Sequence, residues 1–215
     1  MLLSKFPRII FRNSARHYSA DLKTAFEEHF IVPDVIDKAP NEHLHITYRK
    51  IKVCGQCLKP SETKCKPCVT WCVGKKCDFF TLSMVDPDVP GKECPREREF
   101  NHWLVGNIEG QDVRQGCPIV EYLGPLPTHG TGNHRYVFTL YKQKCKIEFE
   151  EQTIKSHCLI GRPCFRIRDF AKKYKLGHPV AGMVFVASWE CFVDKKKREL
   201  AKMKKKRTAR DSECE

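Results

Sequence analysis

Hydrophobic positions along the chain change period several times, and each change predicts an element. In residues 21–30, Leu22, Ala25, Phe26 and Phe30 recur every three or four positions, which predicts a short helix. The stretch 31–40 carries Pro33 and Pro40 and predicts an extended linker. From His43 to Val53, Leu44, Ile46, Tyr48 and Ile51 stand between polar residues, as in a half-buried strand. Further strands are predicted at Val69–Cys72, Phe79–Val85, Phe100–Ile108, Ile119–Leu123 and Tyr136–Tyr141, with Phe100–Ile108 apolar enough for a central position. Phe165–Tyr174 is amphipathic and reads as a helix ending near Gly177. Val180–Trp189 reads as a buried strand, and a basic helix follows from Phe192. Many short strands with Pro/Gly turns, and helices gathered late, predict a mainly β fold of α+β or sandwich type.

The 215 residues suit one large domain or two small ones and can bury a core without staples. No run approaches the ~18 apolar residues of a membrane span. Lys plus Arg number 39 against 26 Asp plus Glu, a formal charge of +13. That excess sits at the ends. Residues 1–20 carry Lys5, Arg8, Arg12 and Arg16 and no acid; residues 195–215 carry ten bases and four acids; residues 21–194 hold only +3. The expected organisation is therefore a basic leader at 1–20, a domain at 21–194 and a basic helix or tail at 195–215. Cations alternating with Leu2, Leu3, Phe6, Ile9, Ile10 and Phe11 resemble a mitochondrial transit peptide, whereas Lys5 and Arg8 interrupt any secretory core. A mitochondrial location is expected, with the cytoplasm as the alternative. For the tail, surface solubility, anionic lipid and RNA phosphate compete.

Thirteen cysteines, an odd number without a secretory signal, argue for free thiols. Cys54, Cys57, Cys65 and Cys68 form two CxxC pairs separated by seven residues, a weak candidate for a tetrahedral zinc site. Ribbon-type sites separate their pairs by ~15–20 residues, so filling of loop and strand positions is the competing reading. No cofactor is expected.

Candidate chemistry concentrates in two segments. Asp86-Pro87-Asp88-Val89-Pro90 follows a predicted strand, and either X-Pro bond is a candidate for a cis turn. Gly130-Thr131-Gly132-Asn133-His134-Arg135-Tyr136 brings a glycine-rich turn beside His and Arg, the makings of an anion pocket. An Asp can orient an imidazole there.

Together with 98–108 (REFNHWLVGNI), 130–143 (GTGNHRYVFTLYKQ) and 170–185 (FAKKYKLGHPVAGMVF), these motifs resemble the phosphatidylethanolamine-binding protein family, which includes the Raf-kinase-inhibitor branch. The likeness spans roughly residues 30–190. It implies two antiparallel sheets with Greek-key connections and short C-terminal helices. It also implies a pocket for phosphate-like or phospholipid-headgroup anions, formed by Asp86, His102, His134 and Tyr136, with Phe100 as an aromatic wall and Gly124 and Pro127 at the rim. Asp88, Pro90 and Arg135 are expected to be structural, with an Arg135–carboxylate pair locking the turn. Leu126 stands where the family pattern has a glycine, and lysines dominate the C-terminal helix.

Three functional classes follow. The first is a non-enzymatic, monomeric binding and regulatory protein, its partners anions or a phosphorylated protein such as a kinase. In that reading His102 and His134 donate to the ligand, and binding tightens as pH falls. The second is a structural component of the mitochondrial large ribosomal subunit, the only route by which nucleic acid enters. The third, an enzyme, lacks support, because GxSxG, HExxH and P-loop patterns are absent.

Overall fold

The computed structural model describes residues 22–212, with side chains to residue 204. The leader predicted at 1–20 lies outside the described residues. The first helix, α1 (Leu22–Glu28), buries Leu22 and Phe26. The expected extended linker is instead a series of turns containing a cis Val32–Pro33 bond, because Ile31, Val35 and Ile36 must all reach the core.

Strands β1 (Glu42–His43), β2 (His45–Tyr48), β3 (Ile51–Lys52) and β4 (Cys68–Thr70) follow. The single strand expected over His43–Val53 is thus divided between two sheets. β1 pairs in parallel with a late strand, while β2 and β3 form a hairpin about Arg49 and Lys50, and Arg49 adopts φ +54°. β5 (Phe79–Asp86), β6 (Phe100–Glu109), β7 (Cys117–Val120), β8 (His134–Gln143) and β9 (Ala181–Ala187) complete the strands. Helices α2 (Ile167–Lys173) and α3 (Cys191–Ser212) complete the described chain.

The large sheet has the order β1-β9-β8-β5-β6-β7, and the small sheet β3-β2-β4. β5, β6 and β7 are successive antiparallel neighbours, and β8 returns by a long connection to lie beside β5. That is a Greek key. Among the paired strands of the described residues, only the edge pair β1–β9 is parallel.

Both faces of the large sheet are covered, which is why β5, β8 and β9 read as nearly continuous apolar runs. Phe80, Leu82, Met84, Tyr136, Phe138, Leu140 and Phe185 pack beneath Leu44, Ile46, Tyr48, Val69 and Trp71 of the small-sheet layer. Val85, Leu104, Val137 and Val184 face α1 and α2 through Phe26, Ile167 and Phe170. α3 runs across the boundary expected at 194/195. Its Val193 and Leu200 are buried, and Ser61 N–H donates to Glu190 just before it. Among the described residues no helix is long and apolar enough to cross a membrane.

Candidate functional site

Strand alternation and one bulge assemble the candidate site at an end of the large sheet. Successive side chains of β8 point to opposite faces. His134 and Tyr136 therefore turn toward the small-sheet side, and Arg135 turns toward α1. In β6 the register passes from Met84↔Trp103 to Val85↔Asn101, so His102 is an extra residue. A bulge of this kind re-aims a side chain. His102 consequently shares the small-sheet face with Trp103, its ring 5.2 Å from Tyr136 and 4.8 Å from Phe100.

The Asp-Pro-Asp turn divides its carboxylates between the two faces. Asp86 accepts the Asp88 N–H at 2.8 Å through Oδ1, and its Oδ2 lies 2.8 Å from His134 Nδ1. On the other side of the imidazole, Nε2 lies 2.8 Å from Thr131 Oγ1, which itself donates to the Thr128 carbonyl at 2.7 Å. A hydroxyl has one proton. That proton is shared between the Thr128 carbonyl and His134 Nε2. One proton bridges His134 Nδ1 and Asp86 Oδ2. Burial raises the Asp86 pKa, and His134 beside it pulls the value back.

Asp88 faces Arg135. The guanidinium makes a bidentate pair with Asp88, Nε to Oδ2 at 2.9 Å and Nη2 to Oδ1 at 2.6 Å. Nη2 also donates to Asp34 at 2.8 Å, and Nη1 to the carbonyls of His29 and Phe30 at 2.9 and 3.1 Å. All five N–H donors are engaged, so Arg135 has the structural role expected from the sequence and none left for a ligand. Of the two X-Pro bonds, Val89–Pro90 is cis.

His102 departs from the sequence expectation. Its Nδ1 bonds the Leu123 carbonyl at 2.8 Å, and burial pushes its pKa down to about 3. It is therefore neutral near pH 7, with its one N–H facing Leu123 and Nε2 left as an acceptor; it cannot donate to an anion. Gly124 also differs. A Cβ there would lie 2.9 Å from Thr63 O and 3.0 Å from Lys64 Cα, so its missing side chain makes room for the chain itself. Pro127 is buried, while Leu126 and Phe100 are half-buried. Lys197 of α3 donates to Thr128 Oγ1 at 3.0 Å, and the His129 ring meets Trp189 edge-on at 4.3 Å, tying the rim to the last helix.

Tyr136 is fully buried, and its hydroxyl forms no hydrogen bond of standard geometry among the described residues, although Asp86 and the Leu126 backbone both act on it. Burial, then the field of Asp86, push this phenol well above its usual pKa, so it stays a protonated donor.

The cysteine pairs do not converge. Cys54 donates to the Lys52 carbonyl, Cys57 bridges to Val186 of β9, and Cys68 lies in β4. Among the described residues no three His, Cys, Asp or Glu side chains are arranged to hold a metal, and the twelve described cysteines are free. Sequence reasoning missed Asp34, Thr131, Glu99 and Arg162. Thr131 had a signal, a hydroxyl three residues before His134. Glu99 and Arg162 had none, because their partners are backbone groups of distant segments.

The family model described as phosphatidylethanolamine-binding protein matches residues 39–185. A Drosophila melanogaster protein named as a candidate odorant-binding protein, A5, is 35% identical over 175 residues, covering 80% of this chain and 83% of that protein. A carboxypeptidase Y inhibitor, solved in complex with its cognate proteinase, is 27% identical with a TM-score of 0.67, covering 77% of this chain and 94% of its own. The phosphatidylethanolamine-binding protein of Plasmodium vivax, at 20% identity, shares the fold with a TM-score of 0.58 over 77% of this chain and 96% of its own.

Proposed function

The chain belongs to the phosphatidylethanolamine-binding protein family, and from that premise we propose that it is a non-enzymatic regulatory protein whose site takes a phosphoryl oxyanion, such as a phospholipid headgroup. The observation that carries this reading is the Tyr136 hydroxyl, a buried donor without a well-formed hydrogen bond beside the Asp86–His134 pair. An unpaired buried hydroxyl costs about 1–3 kcal/mol, and an oxyanion accepting from it relieves that penalty. The hydrogen bond from His134 draws on the Asp86 carboxylate and turns its charge away from the ligand. Lys197 at the rim adds a cation. Phe100, half-buried against His102, supplies an apolar wall. Occupancy by a phosphorylated partner, such as a kinase, would give the regulatory role. Import into mitochondria is part of the same proposal, tested by fractionation.

Distances in the Asp86–His134–Thr131 chain also match those of a nucleophile relay. Its polarity does not. A general base must accept the nucleophile's proton, whereas the Thr131 hydroxyl has the Thr128 carbonyl as a competing acceptor at 2.7 Å. That favours binding over acyl transfer. Equal hydrolysis of p-nitrophenyl acetate by the native protein and Thr131→Val is expected, and turnover lost in Thr131→Val would contradict it.

The direct test is calorimetry with glycerophosphoethanolamine, a diester whose phosphate holds its charge between pH 5 and 8, beside inorganic phosphate. Saturable one-to-one binding that strengthens, or holds, as pH falls supports the proposal. An anion favours the protonated Asp86–His134 pair, so affinity rising with pH, or no saturable binding of either compound, overturns it.

A further inference from the structure

Arg162 is the largest side chain buried completely in the described protein, and its hydrogen-bond partners are backbone carbonyls, with the Glu121 carboxylate acting on it only through its charge. Its Nε donates to Cys158 O at 2.6 Å. Nη1 donates to Asn101 O and His102 O at 2.9 and 3.2 Å, and Nη2 to Glu121 O and Lys155 O at 2.8 and 2.9 Å. Five donors thus meet five backbone carbonyls from three segments: the bulge of β6, the stretch entering the rim, and the 155–158 loop. A buried cation is expensive unless compensated. Packing alone would be served by an apolar residue, so this arrangement needs a reason.

The partners supply one. The His102 carbonyl that receives Nη1 also accepts the Leu123 N–H at 2.9 Å, and the His102 ring returns a bond to the Leu123 carbonyl. Arg162 therefore holds the His102 side of the contact that orients the imidazole directly, and the chain leading to Leu123 through the Glu121 carbonyl. We propose that Arg162 is a positioning residue of the candidate site: it fixes the rim against the β6 bulge and thereby sets His102 as an Nδ1–H tautomer. Its positive charge acts in the same direction, opposing a proton on His102. The other groups facing His102 are the Phe100 and Tyr136 rings, the Gly124 backbone and, more distantly, His134, none of which carries a carboxylate. The inference rests on the binding site proposed above for its consequence in affinity, but not for its consequence in tautomer.

The test uses the full chain as native protein, Arg162→Lys and Arg162→Met. Imidazole ¹⁵N chemical shifts report which ring nitrogen of His102 carries the proton, and calorimetry with glycerophosphoethanolamine reports affinity. The native protein should show a single Nδ1–H tautomer. Arg162→Lys keeps the charge but loses the fork. It should remain folded, mix the two tautomers and bind at least fivefold more weakly; Arg162→Met, where it folds, should mix them further. A His102 that keeps one Nδ1–H tautomer in Arg162→Lys overturns the proposal whatever the stability of the variants, as does unchanged affinity. If the native protein binds no phosphodiester, the binding proposal fails, and the tautomer alone decides the role of Arg162.

Discussion

Arg135→Met removes a guanidinium whose five donors are all engaged, and the structure allows the consequence to be sized. Asp88 is 1% exposed. Without Arg135 it keeps a bond from the backbone N–H of residue 135 at 2.8 Å but loses both bidentate contacts. Breaking a buried pair by removing one partner costs about 3–5 kcal/mol. Asp34 is more than a quarter exposed and adds little, because water replaces the lost contact. The carbonyls of His29 and Phe30 lose a donor as well. We expect about 4 kcal/mol, a large part of the ~5–15 kcal/mol that stabilises a domain. Arg135→Lys should lose about half of that, since one ammonium cannot span the same acceptors. The double variant Arg135→Met with Asp88→Leu should lose only about 1–2 kcal/mol, mainly the orphaned N–H of residue 135. Urea unfolding followed by both circular dichroism and tryptophan fluorescence would measure these values, at low salt and at 0.5 M. Buried pairs are weakly screened, so salt should change little. A loss below 1 kcal/mol in Arg135→Met, or a double variant worse than the single, would refute the cage.

Two further predictions concern stability. Burial holds the Glu99 pKa up at about 7, against 4.5 for the free side chain, while its carboxylate accepts the Ile167 N–H at the start of α2. Both states are protonated at low pH; from 4.5 to 7 the unfolded chain ionises first, so stability falls as pH rises and levels off above 7. Glu99→Gln, which keeps the acceptor, should therefore gain on the native protein by about 3 kcal/mol between pH 4.5 and 8 in urea titrations, and a constant difference would contradict this. Gly124→Ala should destabilise by about 1–3 kcal/mol, because its Cβ meets backbone at Thr63 and Lys64; unchanged thermal unfolding would show that this segment yields freely.

Much of this architecture was legible because the large sheet is covered on both faces. Continuous apolar runs at β5, β6, β8 and β9 are hard to miss, and the Asp-Pro-Asp and His-Arg-Tyr segments stand out as polar residues within them. What was lost depended on events that leave no periodic trace. The β1/β2 division falls at Leu44, whose N–H bonds the Gly182 carbonyl in the other sheet, and local alternation continues unbroken across it. The bulge at His102 changes which face that residue occupies, and with it the conversion of an expected donor into an acceptor. Arg162 and Glu99 work on backbone groups supplied by tertiary packing, so their side chains look like ordinary surface charges in the sequence.

The central claim is that Tyr136 carries a hydroxyl kept for a ligand, and Tyr136→Phe isolates it. In the ligand-free protein the variant should be as stable as the native chain or more so, because it deletes a buried group without a well-formed hydrogen bond. Its affinity for glycerophosphoethanolamine should fall about tenfold, the size of one hydrogen bond to a charged acceptor. A variant that binds as tightly as the native protein, or one that is markedly destabilised without ligand, would contradict the account.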